Sequence, residues 1–96
     1  MDDITYYTDD GIFTVCLPER VETSNADKLR EDILKNIAES GCTRIVIDCE
    51  NTNYVSSAGL RIFMAVSKRY EDVHFANVTG YVKEVLDITG FLTKYL

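Results

Sequence analysis

Apolar and polar positions alternate at the start of the chain, then recur at helical spacing, and the two periods interchange to the end. Ile4-Thr5-Tyr6-Tyr7 and the run Ile12 to Leu17 flank Thr8-Asp9-Asp10-Gly11. Asp-Gly between apolar runs is a strong short-range hairpin signal. In the second run Phe13, Val15 and Leu17 share one face and Ile12, Thr14 and Cys16 the other, which predicts a strand with both faces partly covered. Pro18, which has no N–H to donate, ends its ladder. Val21 is apolar within a polar stretch and predicts at most a brief strand. Ala26, Leu29, Ile33 and Ile37, with Leu34 beside them, make an apolar stripe over about 26–39, the spacing of an amphipathic helix. Thr23, Ser24 and Asn25 are all N-cap types, and Gly41 suits a left-handed stop.

Arg44 to Cys49 is short, β-branched and without alternation, as in a central strand covered on both faces. A second helix is predicted from about Ala58 to Tyr70. Leu60, Phe63, Met64 and Ser67 lie on one line and Ile62, Val66 and Tyr70 on another, so it is apolar around much of its girth. Val73 to Val78 reads as a further strand. Val82, Val85 and Leu86 stripe a short third helix that Thr89-Gly90 closes, and Phe91 to Leu96 suits a last helical turn or edge strand. The predicted fold is α/β, a mixed β-sheet with an N-terminal hairpin followed by β-α units, with helices packed on the sheet. Alternating strand and helix in the second half demands crossovers and a parallel core.

With 96 residues the chain is expected to be one domain, 1–96. Its apolar share of 46% supports a core and argues against disorder. The formal net charge is −6 and the ten basic residues are scattered, which argues against nucleic acid, since phosphate binding needs clustered Lys and Arg. Apolar runs of a few residues exclude a membrane span. An acidic, polar beginning, MDDITYYTDD, is unlike a secretion signal, and a cytoplasmic location is expected.

No reaction is written in the side chains. Cys16, Cys42 and Cys49 match no zinc or redox spacing, and the first and last fall in strand-like runs as small apolar residues. His74, the one histidine, has no Cys or Ser with a base near it and reads as a structural imidazole. Ser57 lacks the Gly-x-Ser-x-Gly elbow, and no Gly-rich phosphate loop precedes the first helix. The expectation is a protein that is not an enzyme and takes no cofactor and no metal.

What remains is Asn53-Tyr54-Val55-Ser56-Ser57-Ala58-Gly59-Leu60-Arg61, in the loop that leaves a central strand and enters a helix, the edge where α/β sheets collect function. Ser56 or Ser57 can cap that helix, and Ala58-Gly59 can pack closely. A serine there can also carry a phosphate, because a helix N-terminus favours anions and the phosphate changes the surface by about −2 charges. The two roles are compatible.

Asp48, then Tyr54 to Arg61, then Val82-Lys83-Glu84-Val85-Leu86-Asp87-Ile88-Thr89-Gly90-Phe91 resembles the STAS family, and within it the bacterial anti-sigma factor antagonists. The resemblance covers nearly the whole chain. It implies a protein phosphorylated on serine, in a motif Asp-Ser-Ser/Thr-Gly-Leu-Gly, by an anti-sigma factor that is itself a serine kinase of the histidine-kinase-like ATPase type. The unphosphorylated antagonist binds that kinase, and a phosphatase resets the cycle. Position by position the acceptor falls on Ser57, with Ser56 as second choice. Gly59 and Leu60 match directly. Glu22 falls where the family has an acidic residue before its first helix that helps form the partner-binding face, with Ser24 and Asn25 flanking it. Asn53, Ser56, Ser57, Ala58, Gly59, Leu60 and Arg61 complete that face. Ser56 stands in place of the motif's aspartate, Ala58 in place of its second Ser or Thr, and Arg61 in place of its last glycine; Pro18-Glu19 stands where a glycine is common. Arg61 follows Ser57 by one helical turn, so a phosphate on Ser57 could pair with it. The alternative is a constitutive STAS interaction or scaffold module without a phosphorylation cycle.

Overall fold

The structure is a computed structural model and describes residues 4–78 and 80–89. In chain order the elements are β1 (Thr5–Asp9), β2 (Ile12–Cys16), β3 (Arg20–Val21), α1 (Thr23–Ser40), β4 (Arg44–Asp48), β5 (Tyr54–Val55), α2 (Ser57–Arg69), β6 (Asp72–Ala76) and α3 (Gly80–Thr89). The predicted α/β fold with its mixed sheet is therefore present. The suggested last turn or strand over Phe91 to Leu96 lies outside the described residues.

Four strands make the main sheet in the order β1-β2-β4-β6. β1 and β2 pair antiparallel with Asp9 opposite Ile12. The turn between them holds Asp10 at φ 53° and Gly11 at φ 78°. Two successive positive φ values match the two-residue turn whose twist suits a hairpin, so β1 runs on to Asp9 and the turn is tighter than the four residues expected. β2–β4 and β4–β6 are parallel pairs, joined through α1 and α2 as parallel neighbours require.

One face of this sheet meets α1 and α2. Phe13, Val15, Ile45, Ile47, Val73 and Phe75 point to it and are buried. They join Leu29, Ile33 and Ile37 of α1 and Ile62, Phe63 and Val66 of α2 in one core. Phe63 and Phe75 meet edge to face with centroids 5.1 Å apart, a favourable quadrupole arrangement. Each such side chain contributes ~1.5–3 kcal/mol by leaving water.

The opposite face corrects the reading of β4 as covered on both sides. Val46 and Asp48 are only half-buried, as are Ile12 and Cys16 of β2, and Thr14 alone is buried there. The β-branched run reflects strand preference as well as burial. Part of this face is covered by its own side chains, with Asp72 accepting from Arg44 Nε at 2.8 Å and lying 2.7 Å from His74 Nε2. The hydrogen bond from Arg44 holds the Asp72 carboxyl below its ordinary range.

Helix boundaries shift for local reasons. α1 begins at Thr23, and its N-cap is Glu22, not one of Thr23, Ser24 or Asn25. Asn25 lies in the first turn and its Oδ1 accepts from Glu22 N at 2.9 Å. That bond satisfies the Glu22 N–H from inside the helix, as in a capping box, and lets the helix start before the apolar stripe does. Gly41, at φ 74°, ends α1 in the left-handed conformation, as expected. α2 buries Gly59, Ile62, Phe63 and Val66, whereas Met64 is 51% exposed, so the helix is less enclosed than its composition suggests.

Cys49 is buried just beyond β4. Burial, aided by the neighbouring Asp48 carboxylate, pushes its thiol from 9.0 up to about 12. A raised folded-state value favours folding fully below about pH 9 and loses that contribution as pH rises toward about 12, because the unfolded chain ionises first. Tyr6, whose hydroxyl donates to Asp32 Oδ2 at 2.6 Å, is shifted upward by burial and by that carboxylate, with the same sign. The stability difference between wild type and Cys49→Ala should therefore close by up to about 1.4 kcal/mol per pH unit above pH 9. Urea melts at pH 7, 9 and 10.5 measure it, and a constant difference would contradict the assignment.

Candidate functional site

Two very short strands, absent from the sequence prediction as a pair, build the site. β3 and β5 form a separate two-stranded parallel sheet in which Arg20 faces Tyr54 and Val21 faces Val55. Ser56 N extends the ladder by donating to Val21 O at 2.8 Å. β3 leads directly into α1 and β5 directly into α2. Pairing them therefore sets two helix N-termini side by side, with Glu22 at one and Ser56-Ser57 at the other.

The loop before β5 is tied down as well. Thr52 Oγ1 donates to Pro18 O at 2.9 Å, Asn53 Nδ2 donates to Glu19 Oε2 at 3.1 Å, and Asn53 N donates to Glu19 O at 2.7 Å. Asn25 reaches back too, its Nδ2 donating to Arg20 O at 3.0 Å. Asn25, Asn53 and Glu22 are thus brought into one framework, with Ser24 exposed in the first turn of α1.

The adjacent serines have different roles. Ser56 is the N-cap of α2; it is half-buried and its Oγ accepts from Gly59 N at 3.2 Å. Ser57, the first helical residue, is exposed. No acidic side chain lies in the first turn of α2, and the N–H groups of that turn have no intrahelical acceptor. An anion on Ser57 Oγ would meet the positive end of the helix dipole. Arg61 is exposed one turn on, while Ala58 and Leu60 turn toward the core. Removing the cap with Ser56→Ala should cost about 1 kcal/mol, seen as a lower urea midpoint; an unchanged midpoint would deny the cap its role.

Gly59 is where β3, β5 and α2 meet. It is buried, and a Cβ there would lie 2.8 Å from Val21 Cγ1, 2.9 Å from Val55 Cγ1 and 3.2 Å from Val21 O. Only glycine lets the helix start approach the strand pair this closely. The sequence signalled the close packing but not its partners, which come from strands too short to show a period.

A stack beside the serines has no counterpart in the local sequence pattern. The Arg20 guanidinium carbon lies 4.7 Å from the centroid of the Tyr54 ring, within cation–π range. Tyr54 in turn stacks on Tyr81 of α3, with centroids 5.6 Å apart and planes 9° apart. Arg20 Nε also pairs with Glu22 Oε2 at 3.2 Å, which raises its pKa. The element that could have revealed this stack is the Arg20/Tyr54 register, which local patterning does not show.

No helix among the described residues is long and apolar enough to cross a membrane. The family model of the STAS domain matches residues 3–95. BtrV of Bordetella bronchiseptica, whose name assigns it to the anti-sigma factor antagonists, is 33% identical over 90 residues, covering 90% of this chain and 77% of that protein. An anti-sigma factor antagonist from Mycobacterium paratuberculosis superposes with a TM-score of 0.81 at 20% identity, over 99% of this chain and 83% of that one. The antagonist SpoIIAA superposes in its unphosphorylated form with a TM-score of 0.80 at 13% identity, over 98% and 86% of the two chains. Its phosphorylated Bacillus form gives 0.76 at 13%, over 98% and 89%. The solved structures match the fold, the family model spans nearly the whole sequence, and the chain belongs to the STAS domain family.

Proposed function

We propose that residues 1–96 act as one cytoplasmic STAS domain that works as an anti-sigma factor antagonist. It binds an anti-sigma factor with serine kinase activity, of the histidine-kinase-like ATPase type, while Ser57 is unmodified. Transfer of the γ-phosphoryl group of ATP to Ser57 Oγ, with loss of the hydroxyl proton and release of ADP, ends the binding. A phosphatase restores the hydroxyl. The chain is a substrate and a binding surface in this cycle, not a catalyst.

The observation that carries the reading is the division of labour between the serines. Ser56 Oγ is engaged as the cap of α2, and Ser57 is exposed at the same helix start. Aspartate and serine are both N-cap types, so Ser56 in place of the family's aspartate retains the cap. A phosphate on Ser57 adds about −2 charges at a helix end that accommodates anions. The fold survives while the surface formed by Glu22, Ser24, Asn25, Asn53 and Ser56 to Arg61 becomes more negative for a partner. The relatives named as antagonists, and the two phosphorylation forms of SpoIIAA, support this cycle.

Incubation with the kinase and ATP, followed by mapping of the modified residue, tests it. Phosphate should appear on Ser57, persist in Ser56→Ala and vanish in Ser57→Ala. No incorporation would favour the constitutive scaffold, and incorporation surviving Ser57→Ala would move the acceptor. Arg61, one turn from Ser57, should pair with the phosphate by a few tenths of a kcal/mol. The melting shift on phosphorylation should then become less favourable in Arg61→Gln, and an identical shift would exclude the pair.

A further inference from the structure

Arg20, Tyr54 and Tyr81 form a continuous cation–aromatic–aromatic stack across three separate elements. Nothing in the phosphorylation cycle requires it. It is not core: Tyr54 is half-buried, and Tyr81, at the far end, is 47% exposed. A tyrosine left half in water on a short helix is a site that a larger surface could cover.

We propose that this stack anchors the same partner that reads Ser57, and that its occupant is a basic side chain of that partner laid against Tyr81. The inference rests on the antagonist reading and extends its docking face from the two helix starts, across β3 and β5, to α3.

Three features carry it. The first is continuity. Tyr54 lies three residues before Ser57, Arg20 is hydrogen-bonded to Glu22, and Arg20 and Tyr54 belong to the strand pair that leads into both helix starts, so this end of the stack continues into the serine's site. A partner broad enough to bury about 800 Å² on its side and centred on Ser57 must also meet residues this near in the fold. The second is pre-organisation. Tyr and Arg dominate binding hot spots, and rings already stacked lose little conformational freedom on binding.

The third feature is charge. The Arg20 charge is matched by Glu22, so it leaves no free cation to attract a carboxylate. Glu84 lies three residues after Tyr81 in α3 and is exposed, which places it on the same side of that helix. Lys83 lies two residues from Tyr81, where helical geometry turns it away. An aromatic ring beside a carboxylate, on a chain of formal net charge −6, suits an arginine or lysine.

The test measures, by calorimetry, the affinity of the kinase that phosphorylates this protein for wild type, Tyr81→Ala, Tyr81→Phe and Tyr81→Lys, with circular dichroism showing that each is folded. The unmodified full chain is used throughout. Tyr81→Ala should weaken binding at least about tenfold, Tyr81→Phe should stay close to wild type, and Tyr81→Lys should bind more weakly than Tyr81→Ala. Tyr81→Phe should keep the wild-type melting temperature. Loss of the Tyr54 stack should lower it by only several degrees in Tyr81→Ala and Tyr81→Lys, so each stays folded at the temperature of the titration and docking is separated from folding. If Tyr81→Ala binds within about twofold of wild type while Ser57 phosphorylation still abolishes binding, the anchor is overturned and the antagonist reading stands. If Tyr81→Lys binds more tightly than Tyr81→Ala, the occupant is not basic and the proposal fails in that form. If wild type itself shows no binding, the antagonist reading and the anchor fall together.

Discussion

Gly59→Ala should lower the melting temperature, although alanine is the better helix former by about 1 kcal/mol. The added methyl would sit 2.8 Å from Val21 Cγ1 and 2.9 Å from Val55 Cγ1, closer than side-chain carbons tolerate. Both valines are buried, at 0% and 2% exposure, and β-branching leaves them few rotamers to escape into. The third neighbour, the Val21 carbonyl oxygen, accepts from Ser56 N and cannot move without loosening that bond. Overpacking of this kind costs about 1–3 kcal/mol. After the propensity gain, a net loss of up to about 2 kcal/mol remains, at roughly 4–8 °C per kcal/mol for a domain of this size. The same strain pushes β3 and β5 away from the start of α2, so phosphorylation of Ser57 should slow as well. Thermal melts and initial phosphorylation rates check both parts. A variant as stable as wild type would mean that the strand pair gives way freely and does not position the site.

Ser57→Ala should produce an antagonist that cannot be switched off. With no hydroxyl to accept the phosphoryl group, incorporation should fall at least about 100-fold, to the level of an unpositioned side reaction. Because Ser57 is exposed and Ser56 holds the cap, the fold should be unaffected. The complex with the kinase should then persist in the presence of ATP, where the wild-type complex dissociates. Size-exclusion chromatography of the mixture before and after ATP shows which occurs. Dissociation of the Ser57→Ala complex on ATP addition would place the switch elsewhere, with Ser56 the first candidate.

The sequence was informative wherever a local period or a single turn residue decides the conformation. The Asp-Gly hairpin, the apolar stripe of α1 with its Gly41 stop, and the strand–helix alternation all follow from such signals. The stripe could not locate the start of α1, because the side chain of Asn25 satisfies Glu22 N and begins the helix ahead of its first buried residue. Ser57 was singled out by its motif, but its separation from Ser56 needed the cap hydrogen bond to Gly59 N. β3 and β5 were illegible as a pair because two residues carry no periodicity, and only their long-range pairing makes them strands. For the same reason the Arg20–Tyr54–Tyr81 stack was invisible: its members belong to three elements, and no local rule relates them.

A phosphate on Ser57 should end the interaction with the partner kinase and leave the domain folded. Calorimetric titration of the kinase with unphosphorylated chain and with chain stoichiometrically phosphorylated on Ser57 tests it most directly. Burying a dianion where the interface accommodates a neutral hydroxyl leaves a charge without compensation, which costs several kcal/mol, so the phosphorylated form should bind at least about 100-fold more weakly with an unchanged circular dichroism spectrum. Equal affinities of the two forms would contradict the switch and leave a constitutive interaction module.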